Sequence, residues 1–228
     1  RRGLWAVLGA WLGIGMAASG SVTALLALLA GSLVVCGLRF RRRALGPLVA
    51  CGVAALAMGT IVGPLRARGV EVLRHARAGA WDDVLSNRAG PWAAAAEMAR
   101  ARPWTGFGPG PFGAEFVPQR LAAEVRWQRR LVTPVLTSSF AQAHGEPLQA
   151  VAEWGIPATL AAAAALALLW ISLVRGTLAE TDADLERLVL VGFLAATAFE
   201  SLTWFPLRQI SALLPVWLAV GRGWRRLS

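Results

Sequence analysis

Apolar positions run almost without a break from residue 3 to residue 38, and again over 45–64, 148–174, 187–203 and 208–221. Several of these runs approach or exceed the roughly 18 residues needed to cross a bilayer. One helix over the whole of 3–38 would be about 50 Å long, against a hydrocarbon core near 30 Å. The small polar cluster Ser19-Gly20-Ser21 lies at its midpoint. Dividing the run there predicts one helix over 3–18 and a second over 21–38. The pattern as a whole predicts an all-α polytopic transmembrane bundle of about six spans. Three lie in residues 1–64 and three in 148–228, separated by a long polar segment over 65–147.

Charge tests that count. Arg1-Arg2, the run RFRRR (39–43), Arg175 and the run RGWRR (222–226) should all face the cytoplasm under the positive-inside rule. Six spans with a division at Ser19 place all four groups on one side. Residues 19–21, 65–147 and 204–208 then lie on the opposite, external face. The long external segment carries eleven Arg against six acidic residues over 66–143. Long loops are largely exempt from the positive-inside rule, so this excess needs another reason. Two stretches in the segment read as helical, 92–101 and 119–131, with a Gly/Pro-rich turn over 103–113 between them.

Composition agrees with the membrane class. The chain is 56% hydrophobic, with a mean hydropathy of +0.53, whereas soluble domains sit at roughly 45–50% apolar. A net charge of +10 with no lysine suggests nucleic acid at first sight. The arginines, however, gather at membrane boundaries and in one loop rather than on a soluble basic face, so a nucleic-acid partner is not expected. Cys36 and Cys51 both sit in apolar runs and read as small core residues rather than a disulfide or metal pair. The chain opens on Arg1 rather than Met, so a fragment or processed piece is expected. The glycine-rich GFGPGPFG (106–113) matches no phosphate-loop spacing, and its prolines remove backbone donors.

Candidate chemistry gathers near one boundary. Arginine forms bidentate bonds to phosphate oxygens, so an external arginine-rich loop above a bilayer suits lipid phosphates or a lipid-linked diphosphate. The alternative for any one of them is a solvated or headgroup-anchoring role. His144, in AQAHGEPLQAVAEWG (141–155), stands where a neutral imidazole can serve as a general base, or simply as a structural residue. Glu146 and Pro147 suit the first turn of a helix, which competes with a catalytic reading of Glu146. Glu153 lies nine residues beyond His144. His75 has no comparable context. Glu200 is an ionisable residue at the end of a span, with functional potential or a simple pairing with Arg208. Of the eleven tryptophans, Trp104, Trp154, Trp204 and Trp224 fall near predicted boundaries, as an aromatic belt requires. Stacking on sugar rings is the other use.

Three stretches carry a family resemblance. SGSVTALLALLAG (19–31) resembles a helix that opens with a Ser-Arg pair. RAGPWAAAAEMARARPWTGFGPGPFG (88–113) resembles an Arg-x3-Trp segment followed by a Pro/Gly-rich turn. AHGEPLQAVAEWGIP (143–157) resembles an Ala-His-Asn signature that ends in Glu-x-Gly. In order and spacing these are similar to the superfamily of bacterial O-antigen ligases, O-antigen polymerases and protein O-oligosaccharyltransferases. The resemblance would make this chain the C-terminal half of a longer protein with the C-type glycosyltransferase fold.

It implies a multi-pass protein of the bacterial inner membrane whose active face is periplasmic. Its partners would be an undecaprenyl-diphosphate-linked glycan, membrane lipid and an acceptor: lipid A core, a growing polysaccharide or a protein hydroxyl. No metal or other cofactor is implied. By position, His144 matches the catalytic His and Arg88 the loop Arg that meets the carrier diphosphate. Arg102, Glu146, Gln149 and Trp92 are the expected substrate-binding residues. Two departures stand out: Val22 occupies the place of the Ser-Arg arginine, and Gly145 that of the Asn after His, with Pro147 also atypical. They leave open an inactive member that binds a glycan-lipid or supports a complex, or an anion transporter.

Overall fold

The computed structural model describes residues 21–40, 46, 49–50, 52–53, 57, 61–131, 140–179, 185–204, 206–208 and 210–225. Among them every regular element is helical: α1 (Val22–Phe40), α2 (Gly63–Arg77), α3 (Trp81–Val84), α4 (Ala89–Ala101), α5 (Phe112–Trp127), α6 (Glu146–Ala179), α7 (Leu185–Ser201), a 3-10 turn at Pro206–Arg208 and α8 (Ile210–Arg225). The all-α expectation therefore holds for the described chain. Among the described residues, two helices are long and apolar enough to cross a membrane, Val22–Phe40 and Glu146–Leu178. Helices α7 and α8 have 17 and 16 residues, so each is about 25 Å long and short of a full hydrocarbon core unless extended. The helix expected over 3–18, most of the span expected over 45–64, Cys51 and the arginines at 1–2 and 41–43 lie outside the described residues.

The chain forms two compact units, one of residues 1–79 and 176–200, the other of 80–175 and 201–228. In the first unit, α1 and α7 approach at small residues. A Cβ placed on Gly31 would come 2.6 Å from the Gly192 carbonyl oxygen and 3.1 Å from Ala196 Cβ. Close backbone approach through small side chains is how helices gain packing contact when lipid removes the hydrophobic drive between them. Cys36 is buried on the same helix, as expected of a small core residue.

In the second unit, α4 and α5 form the framework. The alanine run of α4 buries Ala93, Ala94 and Ala95, and Met98 follows one turn later. Ala94, Ala95 and Met98 pack with Phe112 and Phe116 of α5 and with Ala143 and Ala152, and Phe107 and Phe140 cover this cluster. The sequence starts the second loop helix at Gln119, after Pro118. The helix in fact begins at Phe112 and runs through Pro118, because Phe112 and Phe116, both fully buried, anchor its first turns. It ends at Gln128, in the left-handed region at φ +51°, three residues before the expected end. Buried Glu97 of α4 accepts hydrogen bonds from Arg100 (2.7 Å) and from Arg126 of α5 (3.0 Å), tying the two helices together.

Helix α6 is two helices joined at Gly155, whose backbone is non-helical at φ 80°, ψ 169°. The break frees carbonyls that the Gly/Pro-rich turn satisfies. Phe107 N donates to Ala152 O (3.0 Å), Gly108 N to Glu153 O (2.8 Å) and Ile156 N to Pro103 O (2.8 Å). Pro157 follows directly, where its missing N–H costs nothing at the start of the second helical stretch. So the glycine-rich turn is a clasp on a broken helix, and Gly106 of the turn and Gly155 of the helix serve close approach. A Cβ on Gly155 would lie 2.5 Å from the Trp104 carbonyl oxygen, and one on Gly106 would overlap the Glu153 carbonyl. Gly155→Ala is expected to lower stability by about 2–3 kcal/mol, since its φ and ψ suit glycine almost alone. A depressed melting temperature of the purified chain in detergent checks this, and an unchanged melt would contradict the clasp.

Candidate functional site

His144 stands two residues before α6, at the meeting of three elements of the second unit. Its own backbone is left-handed, φ +54°, a conformation uncommon outside glycine and typical of residues held in place for function. Its carbonyl accepts the indole N–H of Trp92 from α4 (3.2 Å). On one side of it Ala143 N donates to Gln149 Oε1 (2.9 Å), and on the other Gln149 N donates to Gly145 O (3.0 Å). The imidazole is half-buried between Phe140, edge-on at 5.8 Å between ring centroids, and Trp204, tilted at 5.4 Å. The loop, α4 and the segment before the 3-10 turn thus converge on one residue.

Arg88 caps the N-terminal end of α4. It is delivered there by Ser86 and Asn87, two consecutive left-handed residues at φ +53° and +58°. Burial, and secondarily the positive charge of Arg88, hold His144 below its ordinary pKa. Arg88 therefore lies within electrostatic range of His144. A depressed pKa leaves the imidazole neutral, and able to accept a proton, at neutral pH. Removing the cation makes the imidazolium easier to form, so Arg88→Gln is expected to move the acid limb of any His144-dependent rate to higher pH. A pH–rate profile checks the direction, and a shift to lower pH would contradict it.

Beneath His144 lies a polar network on the first turns of α6. Gln149 and Glu153 are each 1% exposed and Glu146 is 8% exposed. Gln149 Nε2 donates to Gln142 Oε1 (2.8 Å) and to Glu153 Oε1 (2.9 Å). Arg208, from the 3-10 turn, reaches the other carboxylate oxygens: Nη2 to Glu153 Oε2 at 2.9 Å and Nε to Glu146 Oε2 at 3.3 Å. Arg208, considered above as a partner for Glu200, instead spans Glu146 and Glu153. Glu146 does open its helix, with Pro147 in the first turn, and in addition it holds Arg208.

The six residues expected at the site thus fall into three groups. His144 and Arg88 lie within electrostatic range of each other. Gln149 and Glu146 are buried in the supporting network, and Trp92 directs its N–H to the backbone of His144. Trp92 and Gln149 hydrogen-bond the backbone around His144, and Glu146 holds Arg208. Arg102 is exposed, with its guanidinium 4.4 Å above the Phe107 ring and no carboxylate partner among the described residues. Gly145 is buried, and a Cβ there would meet Leu202 O at 3.2 Å and Trp92 Nε1 at 3.4 Å, so the larger residue usual at this place would press on the Trp92 contact. His75, on α2, faces Glu71 at 3.8 Å and takes no part in this site.

Sequence reading missed Phe140 and Trp204 as neighbours of the histidine, and Arg208 as the partner of Glu146 and Glu153. Trp204 reads as a boundary aromatic and Arg208 as a partner for Glu200. Trp204 and Arg208 share one signal, WFPLR (204–208), an aromatic, a proline and an arginine in a short segment. Among the described residues no group of three His, Cys, Asp or Glu side chains is arranged to hold a metal ion.

The family model described as O-antigen ligase matches residues 7–163. No curated protein and no solved structure matches the chain.

Proposed function

Since the chain belongs to the O-antigen ligase family, we propose that it is a membrane glycosyltransferase that moves a glycan from undecaprenyl diphosphate to an acceptor hydroxyl at the periplasmic face of the inner membrane. The acceptor oxygen attacks the anomeric carbon, and the bond from that carbon to the diphosphate breaks. The hydroxyl proton passes to the neutral imidazole of His144. Charge that develops on the leaving diphosphate is met by Arg88, with exposed Arg102 as a second cation. The reaction so written needs no metal.

The observation that carries this reading is the placement of half-buried His144 beside Arg88, with its pKa lowered by burial and by that cation. In this reading the six-span topology holds, with three spans in 1–64, three in 148–228 and residues 65–147 external. Trp204, 5.4 Å from the imidazole, offers a face on which a sugar ring can stack.

A second reading is a family member that binds the carrier glycan without transferring it. It is favoured by Val22, which opens α1 where the family has an arginine, and by buried Gly145. The test supplies a purified undecaprenyl-diphosphate glycan to membranes carrying the full-length protein and follows release of the carrier diphosphate. Turnover that rises in Val22→Arg supports the transferase and makes the missing cation its limit. Binding without release in every variant supports the second reading.

A further inference from the structure

Helix α2 carries charge that the candidate site does not use. It belongs to the first unit and follows the apolar run over 45–64, read above as a span that ends on the external side. Arg66, Val70, Leu73, Arg74 and Arg77 recur at spacings of three and four residues, so they share one helical face. All five are exposed, Val70 at 49% and Leu73 at 58%. Arg66, Arg74 and Arg77 make no ion pair with any described residue. The helix's one carboxylate, Glu71, is engaged by Arg68, which holds its pKa below the usual carboxylate range. An open hollow of about 740 Å³ runs along the helix between Gly63, Arg66, Ala67, Arg68, Val70, Glu71 and Arg74, so three guanidiniums outnumber one carboxylate in its lining.

A solvated helix face has no need of two exposed aliphatic side chains set among three unpaired guanidiniums. At a bilayer surface the same pattern is consistent throughout. Val70 and Leu73 enter the acyl boundary, and the arginine stems lie along them with their heads at the phosphate level. The face is complementary in charge to an anionic headgroup, and the small residues Gly63 and Ala67 leave room for one.

We propose that α2 is an interfacial helix that docks on anionic phospholipid of the external leaflet, with phosphate held by Arg66, Arg74 and Arg77. This goes beyond the transferase reading and takes from it only the topology that sets α2 on the external side; it does not depend on the chemistry.

The test uses the full chain in nanodiscs, with an environment-sensitive fluorophore on Leu73→Cys in a background where Cys36 and Cys51 are replaced by Ala. Bromine-labelled lipid reports contact with the acyl region. In discs containing phosphatidylglycerol the probe is expected to be quenched. Replacing the three arginines by Gln should reduce quenching at least about threefold, while replacing them by Lys keeps most of it, since each cation near the surface adds to the attraction. Equal quenching in purely zwitterionic discs, or full quenching in the Gln variant, would overturn the proposal. So would loss of quenching on adding millimolar inorganic phosphate, which would make the face a site for soluble phosphate.

Discussion

His144→Ala is expected to lower glycan transfer by about 10²–10⁴-fold, the usual contribution of a positioned general base. The side chain contributes the proton acceptor, and its neighbours stay in place without it. Trp92 bonds to the His144 carbonyl rather than to the ring, and the buried network below rests on Gln149, Glu153 and Arg208. Membrane insertion should therefore survive. One complication is the left-handed backbone at φ +54°, which Ala tolerates less well than Asn. His144→Asn removes the base with less backbone strain. Both variants should lose transfer, and Asn should melt closer to the parent chain. Transfer retained in His144→Asn would end the assignment of the histidine as the base.

Arg208→Met is expected to destabilise the second unit by about 3–5 kcal/mol, because it leaves a buried carboxylate without its cation. Glu153 is 1% exposed, and its salt bridge to Arg208 is 2.9 Å, so little water can take the place of the guanidinium. The double variant Arg208→Met with Glu153→Gln should regain much of the loss. It removes the more deeply buried of the two carboxylate charges that Arg208 meets, Glu153 rather than Glu146, and its amide oxygen can still accept from Gln149. Thermal unfolding of the four chains gives the coupling directly. Transfer should fall with Arg208→Met as well, since the 3-10 turn follows Trp204, and Trp204 borders His144. Additive effects of the two substitutions would show that the pair is not coupled and that Arg208 acts elsewhere.

The legible part of the site was the part carried by local pattern. The run AHGEPLQ places a histidine just before a helix whose first turn holds an acid and a proline, and the helix does begin at Glu146. The helical stretches of the loop were visible because alanine-rich and mixed charged–apolar segments favour helix over any competing state. Their limits were less visible. Pro118 reads as a helix start, and only the burial of Phe112 and Phe116 shows why the helix forms ahead of it.

Glu153 and Gly155 illustrate the division most clearly. In the sequence they are an acid and a glycine in an apolar helix, and neither has an evident reason to be there. In the structure Gly155 breaks the helix where the 103–108 turn docks, and Glu153 receives an arginine from 55 residues away.

The sequence by itself determined what depends on composition and on neighbours along the chain: the helical class, the apolar runs long enough for lipid, and the arginine-rich segment between them. These follow from the lengths and periods that lipid and helix geometry impose on any chain. The tertiary structure decided which distant groups meet. It brought Arg88 within electrostatic range of His144 across more than fifty positions, set Phe140 and Trp204 against the imidazole, and paired Arg208 with Glu146 and Glu153. Such contacts are chosen by burial and charge compensation between elements, where a buried carboxylate takes whichever cation the packing brings within reach. No local pattern encodes that choice.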